Sequence, residues 1–427
     1  MLSQLVCVAL LTLASLSART IEGVWEITVV QFGELQQVHR ATIQVAGERL
    51  TGRTAYDVKL EGTVRGGLVE FQARFPNGEL LGAFSGTIQG NEMSGSAKVW
   101  GDQPASWTAR RPVERPAGGP LVHEFTPSQF HRVFSSAIAP VLHIFPGDTV
   151  RTWSVDSGGR DAQGVIRAAG GNPLTGPFYI EGAMGGDTLV VRFNRIRLNR
   201  DSAQSGDSIA AHALSPHHFK ELKPVEKFDS KWRLDRDRGV AVLANPTGRL
   251  KSFRVRLEPM LGCVGVAPPG RQSFHSGQLG PWGGNMDYNQ IREGVTLYLP
   301  VFHPGALLFV GDGHAAQGDG ELTGDALETS MDIEFTVELV EGKAPGTPRA
   351  ENDEYLMAIG IGGSLADALE RATSELARWL ERDYKLNAAE VAIVLGTSMR
   401  YDIAEMVDPQ VNVVAKVAKS VLAQLRP

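Results

Sequence analysis

Cysteine is almost missing from this chain: Cys7 and Cys263 are the two among 427 residues, which excludes a small disulfide-stapled fold. Positive charge is short as well. Forty-two Lys and Arg face 48 Asp and Glu, for a formal charge of -6, and that balance argues against nucleic acid or an anionic membrane surface as the main partner. Long apolar runs are lacking too, with one exception. Leu5 to Ala18 is uncharged and mostly apolar over fourteen residues. As a helix it would span about 21 Å against a hydrocarbon core of ~30 Å, so no membrane span is expected. Its small residues Ser15, Ser17 and Ala18 read as the end of a signal peptide cleaved near Ala18, and the chain is expected to be exported, periplasmic or secreted. Cys7 would leave with that segment, and Cys263 alone cannot form an intrachain disulfide.

Glycine, by contrast, is abundant: 48 residues, or about 11%, against a usual ~7%. With 23 prolines beside it, and 42% hydrophobic and 21% charged residues, the composition is that of a folded, turn-rich, largely β protein. The length suits two or three domains. The fold class expected is mainly β with C-terminal helices (α+β), a small N-terminal β-barrel-like domain preceding a larger β-rich one. After the leader (1–18), residues 19–111 alternate short strands and turns. They are Val24 to Val30, Ala41 to Val45, Gly62 to Val64, Leu68 to Ala73, Leu80 to Phe84, Gly86 to Ile88, Met93 to Trp100 and Trp107 to Ala109. Turn signals every 8 to 12 residues imply a meander closed or nearly closed into a barrel, since closure removes exposed edges. Trp25, Trp100 and Trp107 read as its core. The G-x-W opening and the F-S-G-T-I-x-G-N-x-M-S-G run resemble small lipocalin-like modules. A Pro/Gly-rich linker, 112–120, leads into the domain 121–427.

In that domain two segments place G-D-T between strands, at Gly147-Asp148-Thr149 and Gly186-Asp187-Thr188, and a third echo follows at Gly206-Asp207-Ser208. Asp148 and Asp187 read as turn formers. The densest chemistry lies between Gly262 and Glu328. Gly283-Gly284-Asn285-Met286-Asp287 is followed by Gly311-Asp312-Gly313-His314-Ala315-Ala316-Gln317-Gly318-Asp319-Gly320-Glu321. In a glycine-rich loop such spacing lets several carboxylates and an imidazole converge. Carboxylates plus imidazole without thiolate suit Zn²⁺ at a hydrolytic site, or Ca²⁺ or Mn²⁺ with more oxygens. A solvated Ca²⁺-type turn without catalysis is the other reading of the same residues.

These blocks carry a resemblance. P-P-G, G-G-N-M-D, G-x-x-L-Y-L-P-V and G-A-L-L-F-V-G-D-G-H-A-A-Q-G-D-G-E, from Pro268 to Glu321, resemble the acetamidase/formamidase family. So do P-G-D-T-V with W-S-V-D-S-G-G (Pro146 to Gly159) and G-P-F-Y-I-E-G-A-M-G-G-D-T-L (Gly176 to Leu189), in the same order. The resemblance covers roughly 121–412 and leaves out the N-terminal domain. It implies metal-dependent hydrolysis of short linear amides to ammonia and a carboxylate. The metal implied is a divalent ion, most simply Zn²⁺, with Ca²⁺ as a second or structural ion. On the matching positions, Asp287, Asp312 and His314 are expected to bind it, with Asp156 and Asp319 as further acidic positions. Glu321 or Glu181 would serve as general base and then acid, and Asn285 as donor to the developing oxyanion. The partner expected is a small amide, with no nucleic acid and no membrane span, in a homo-oligomer (dimer or higher). The alternative is a non-catalytic small-ligand or carbohydrate-binding protein on the same fold, with a structural Ca²⁺ site.

The remaining features read as structural. Cys263 sits in an apolar strand and is expected to be a small buried thiol. His217-His218 reads as exposed loop. Ser364 suits the N-cap of a helix from Leu365 to Asp383, whose Leu365, Leu369, Ala372, Leu376 and Leu380 form a core-facing stripe. Asn387 and Glu390 form a capping-box pattern for a second helix, and a third is expected over Val413 to Leu425.

Overall fold

The computed structural model describes residues 21–54, 57–223 and 228–425, so the expected leader, Leu5 to Ala18, lies outside the described residues. Among the described residues no helix is long and apolar enough to cross a membrane. The chain forms two compact units, the first running to Ala117 and the second making up most of the remainder.

The first unit is a closed, eight-stranded, antiparallel barrel in simple chain order. Its strands are Gly23–Gln31, Glu34–Ala46, Arg49–Thr54, Lys59–Arg65, Leu68–Arg74, Leu80–Gln89, Glu92–Val99 and Gln103–Arg110. The first pairs with the last, Glu26 opposite Arg110 and Val30 opposite Ser106. Alternation places Val69, Phe71 and Ala73 inside and Glu70 and Gln72 outside, as a half-buried strand requires. Two details differ from the sequence reading. Arg49–Thr54 is a strand the pattern did not suggest, because only Leu50 and Thr54 point inward in an otherwise polar segment. The segments expected on either side of Ser85 form one strand. Gly86 there makes no turn; a Cβ on it would lie 2.7 Å from Trp107 Cζ2, so its bareness admits the indole. Trp25 and Trp107 are core, whereas Trp100 is 54% exposed.

The second unit is built from two large sheets that share one apolar core. One sheet contributes Leu189, Val191, Phe193 and Phe335, and the other Leu261, Val264, Phe309 and Val310. The first sheet runs in the order Arg400–Glu405, Val411–Ala418, Tyr355–Gly362, Arg349–Glu351, Thr296–Pro300, Thr188–Leu198, Met331–Val340, Thr149–Ser154, Val122–Glu124. The second contains, side by side, Glu328–Thr329, Leu308–His314, Met260–Gly265 and Gly283–Asn285. Asp148 and Asp187 tie connections together: the Asp148 carboxylate accepts from Leu121 N and Phe145 N, and that of Asp187 from Gly342 N.

The helix Leu365–Asp383 forms as its sequence suggests, with the Ser364 side chain accepting from Asp367 N. Its buried face is Ala368, Ala372, Glu375, Leu376, Trp379 and Leu380, while Leu365 and Leu369 are exposed. The stripe is thus rotated around a fully buried Glu375, whose charge Arg349 meets at 2.5 Å and Arg378 at 2.8 Å. The capping box of Asn387 and Glu390 opens Ala388–Ser398. The expected third helix is instead mostly a strand, Val411–Ala418, with a short helix Lys419–Leu422 after it. Its β-branched run fills the slot between Tyr355–Gly362 and Arg400–Glu405, where pleated packing overrides helical spacing. His217 and His218 are exposed, as expected, but on a short helix, Pro216–Glu221.

Candidate functional site

Asp312, His314 and Glu328 stand on strands, whereas Asp287 and Glu321 lie on the connections that follow Gly283–Asn285 and Leu308–His314. Leu308–His314 is buried along its whole length, so Asp312 and His314, two residues apart, present side chains to the same face. Strand register supplies their neighbours: His314 lies opposite Glu328, and Cys263 opposite Asn285. Gly262 faces them from Met260–Gly265. A Cβ there would lie 2.3 Å from Asp287 Oδ1, 2.7 Å from Asp312 Oδ2 and 3.0 Å from His314 Cε1. Only glycine leaves the cluster its space. Three of the acids also sit in the left-handed backbone region, Asp287 at φ 41°, Asp312 at φ 59° and Glu321 at φ 46°, where residues other than glycine are uncommon. Such conformations persist only where the surroundings impose them, and they gather at functional sites.

Ligand atoms of Asp287, Asp312 and His314 lie within 4.8 Å of one another, as do those of His314, Glu321 and Glu328. His314 joins the two groups. Its Nε2 is 3.2 Å from Glu328 Oε1 and 3.5 Å from Asp312 Oδ1, and its Nδ1 is 2.9 Å from Gln317 Oε1. The Gln317 amide is oriented by its Nε2, which donates to the carbonyls of Asp287 and Ala404 at 2.5 and 3.2 Å. Oε1 must therefore accept from His314 Nδ1–H. In the neutral imidazole the Nε2 lone pair then faces Glu328 and Asp312, the arrangement in which histidine binds a cation, while Asp287 Oδ1 lies 3.9 Å from Nδ1.

Three buried oxygens, Asp287 Oδ1, Asp312 Oδ1 and Glu328 Oε2, accept no hydrogen bond from the described residues, which is costly unless something positive meets them. With no cation, protons do that work. Burial alone would lower the His314 pKa, but Glu328 and Asp312 outweigh it and hold it well above the ordinary imidazole value. Burial pushes Asp287 and Glu321 well above the usual carboxylate range, His314 offsetting part of this and the neighbouring carboxylates adding to it. Donor type, unpaired oxygens, tautomer and the bare Gly262 cradle all fit a divalent cation of the Zn²⁺, Mn²⁺ or Ca²⁺ kind.

Of the residues expected from sequence, the fold brings together Asp287, Asp312, His314, Glu321 and Asn285, and it leaves Asp156, Asp319 and Glu181 outside the cluster. Asp156 holds Arg200 at 2.7 Å, and that guanidinium also reaches the Glu328 carbonyl at 3.4 Å. Asp319 is exposed and accepts from Asn289 Nδ2 at 2.8 Å. Glu181 pairs with His143 at 2.6 Å. Asn285 is within the cluster, but its amide is fully engaged. Nδ2 donates to Asp287 Oδ2 at 2.5 Å and Asp408 Oδ2 at 2.8 Å. Oδ1 accepts from Asn172 Nδ2 at 2.9 Å and from the Cys263 thiol at 2.7 Å. It thus has no hydrogen left for an oxyanion and acts to position Asp287.

A pocket of about 210 Å³ opens onto this cluster, lined among others by Asn172, His275, Asp312, Glu321, Glu328 and Asp408. Glu328, Asp408, Asn172 and His275 were not singled out from sequence. Glu328 needs the strand register to be seen opposite His314, and Asp408 comes from a distant connection. Burial raises the Asp408 pKa to about 6, with Asn285 offsetting part of it. His275 Nδ1 accepts from Gly277 N at 3.1 Å, so its neutral ring carries hydrogen on Nε2.

Comparison with known proteins bears on the same region. Residues 280–416 match the model of the Acetamidase/Formamidase family. A Schizosaccharomyces pombe protein named as a formamidase is 49% identical over 196 residues, covering 35% of this chain and 47% of that one. An acetamidase of Mycolicibacterium smegmatis is 34% identical over 121 residues, 25% of this chain and 29% of that one. The chain thus matches less than half the length of either curated relative. The crystal structure of an acetamidase from Yersinia enterocolitica is similar at 28% identity and a TM-score of 0.61, covering 74% of this chain and 96% of that one. Family model, relatives and solved structure agree in what this part of the chain is similar to, namely acetamidase and formamidase proteins.

Proposed function

We propose that the chain hydrolyses short linear carboxamides, of the formamide or acetamide kind, to ammonia and the carboxylate, in the second unit and with a divalent cation. The observation that carries this reading is the buried convergence of Asp287, Asp312, His314, Glu321 and Glu328 beneath a pocket of about 210 Å³. Pockets for drug-sized ligands begin near ~300 Å³, so this one suits a substrate of a few heavy atoms. Asp287, Asp312 and His314, through Nε2, would hold the cation, with Glu328 beside them. When bound, such an ion supplies Lewis-acid polarisation and makes a water acidic near neutral pH.

The protein's own residues supply the rest. Glu321 lines the pocket and shares the His314 cluster, so it can take a proton from water at its carboxylate. The same carboxyl can then return that proton to the departing nitrogen, which an amide requires because amide ion leaves poorly. His275, with hydrogen on Nε2, faces the same pocket and can donate to the substrate oxygen, the role for which Asn285 has no hydrogen free. Asn285 and Gln317 hold the carboxylate and the imidazole in orientation. A binding-only protein with a structural Ca²⁺ is the less favoured reading, since it gives no reason for a protonatable Glu321 at the pocket wall.

Ammonia release from formamide and acetamide, measured with and without chelator and in His314→Ala, tests the proposal. Release that disappears with chelator and in the variant supports it. A folded, cation-loaded protein that releases no ammonia from a panel of short amides refutes it.

A further inference from the structure

The barrel of the first unit contains a cavity that amide hydrolysis leaves unused. It measures about 100 Å³, and its walls include Ile27, Val29, Leu60, Phe71, Phe84 and Val99. Phe71 and Phe84 stack there at 4.8 Å. Thr54, Val58, Leu81 and Trp100 also line it, and these residues flank the turns after the third, fifth and seventh strands. In an up-and-down barrel alternate turns share one end, so the cavity lies toward that end. The far end is filled. Trp25 Nε1 donates to Ile21 O at 2.7 Å, and Trp107 Nε1 lies 3.2 Å from both Ser85 O and Ser96 O.

Two further observations single out the cavity end. Thr54 is 8% exposed, and its hydroxyl has no hydrogen-bond partner among the described residues although it lines the space. Buried polar groups are normally paired, and one left unpaired beside a cavity marks where a ligand atom can sit. The turns at this end also carry two exposed aromatics, Phe32 at 79% and Trp100 at 54%, both in the left-handed region at φ 52° and φ 49°. Bulky residues seldom adopt that conformation. The Phe75 ring lies 5.9 Å from that of Trp100, so part of the rim is aromatic. His39 lines the cavity as well, and burial lowers its pKa, so no charged side chain faces the space among the described residues.

We infer that the barrel binds one small, uncharged, mainly apolar molecule of about a single aromatic ring, whose one hydrogen-bonding group meets the Thr54 hydroxyl. The size follows from volume: a cavity of roughly 150 Å³ lined by Leu, Ile and Phe accepts benzene, so at about 100 Å³ one ring is the upper limit. The site belongs to the first unit alone and does not depend on the reaction proposed for the second.

Calorimetric titration of the full chain with phenol and with benzene tests it. One equivalent of each should bind. Thr54→Val should weaken phenol roughly fivefold, the worth of one neutral hydrogen bond, and leave benzene unchanged. Ala73→Leu, which extends a wall residue into the space, should abolish both. Val29→Ile fills the space by one methyl group and should weaken both, which provides the comparison if Ala73→Leu does not fold. Absence of saturable binding by the wild-type protein overturns the inference. So does binding that the filling variants leave unaltered while near-ultraviolet dichroism shows the tryptophan environment intact, or benzene affinity falling as far as phenol affinity in Thr54→Val.

Discussion

Gly262→Ala is the sharpest probe of the acidic cluster, because it adds one methyl group and removes nothing. The new Cβ would stand 2.3 Å from Asp287 Oδ1, where ordinary contact begins near 3.4 Å. The carboxylate must therefore retreat by about 1 Å, and it has little room to do so. Its other oxygen is held by Asn285 Nδ2 at 2.5 Å, and its backbone carbonyl by Gln317. Asp312 Oδ2, at 2.7 Å from the same methyl, must yield as well. Overpacking of this kind costs about 1–3 kcal/mol of stability, whereas a ~1 Å displacement of a reacting group costs on the order of 100-fold in rate. The expected result is a folded protein with a lowered melting temperature, poor retention of divalent cation after dialysis, and amide turnover reduced about 100-fold. Melting curves, metal analysis and ammonia release read the three effects separately. Wild-type turnover with wild-type cation content would refute the assignment of the cradle, and so would a loss of rate no larger than the unfolded fraction explains.

Four other expectations follow from the same geometry. Glu328→Gln should lower divalent affinity about 10- to 100-fold, measured by competition with a chelating dye; unchanged affinity would remove Glu328 from the cation's surroundings. Asp156→Ala should cost about 3–5 kcal/mol because it strands Arg200, whose side chain is 10% exposed, without its partner, yet leave cation content per folded molecule unaltered. Divalent binding should tighten as pH rises and should release protons, since His314, Asp287 and Glu321 hold them in the cation-free chain; calorimetry in buffers of different ionisation enthalpy detects that release, and its absence would contradict the protonation described. Glu405 is wholly buried, and burial with Asp408 nearby raises its pKa from 4.5 to about 8. The folded chain therefore keeps a proton that the unfolded chain loses, so stability present below pH 4.5 declines until pH 8, by at most about 5 kcal/mol. Glu405→Gln should melt like the wild type at pH 4 and at higher temperature at pH 8.5, and a difference independent of pH would refute this.

How far the sequence carries depends on whether a feature is local. Gly66-Gly67, the Ser364 cap and the Asn387 capping box are legible because their partners lie within a few residues. The strand Val411–Ala418 departs from the expected helix because nothing in its spacing reveals the slot between two strands that it occupies. The site divides in the same way. Asp287, Asp312, His314 and Glu321 sit in two dense motifs, whereas Glu328 joins them only through strand register and Asp408 only across a span of more than eighty residues. Asp156 and Asp319 carry the right chemistry in the right blocks, but one is committed to Arg200 and the other to Asn289. Residue type marks who is able to bind a cation; backbone path decides who reaches it.

A cluster of buried acids also has a cation-free explanation, in which shared protons neutralise carboxylates as they do in acidic dyads. Two features weigh against that as the whole account. Shared protons would pair the carboxylate oxygens with one another, yet Asp287 Oδ1, Asp312 Oδ1 and Glu328 Oε2 are each without a hydrogen-bond partner among the described residues. Nor do they account for Gln317, whose doubly anchored amide accepts Nδ1–H of His314 and so leaves Nε2, beside Glu328 and Asp312, as the nitrogen a cation would take once its proton is lost. For stability alone, apolar residues of similar volume would serve as well or better. The left-handed backbone at Asp287, Asp312 and Glu321, the bare Gly262 and the unpaired oxygens each carry a cost, and all three costs fall at one point. The divalent cation proposed above would offset the unpaired oxygens and give the vacant Cβ position and the orientation of His314 a common purpose.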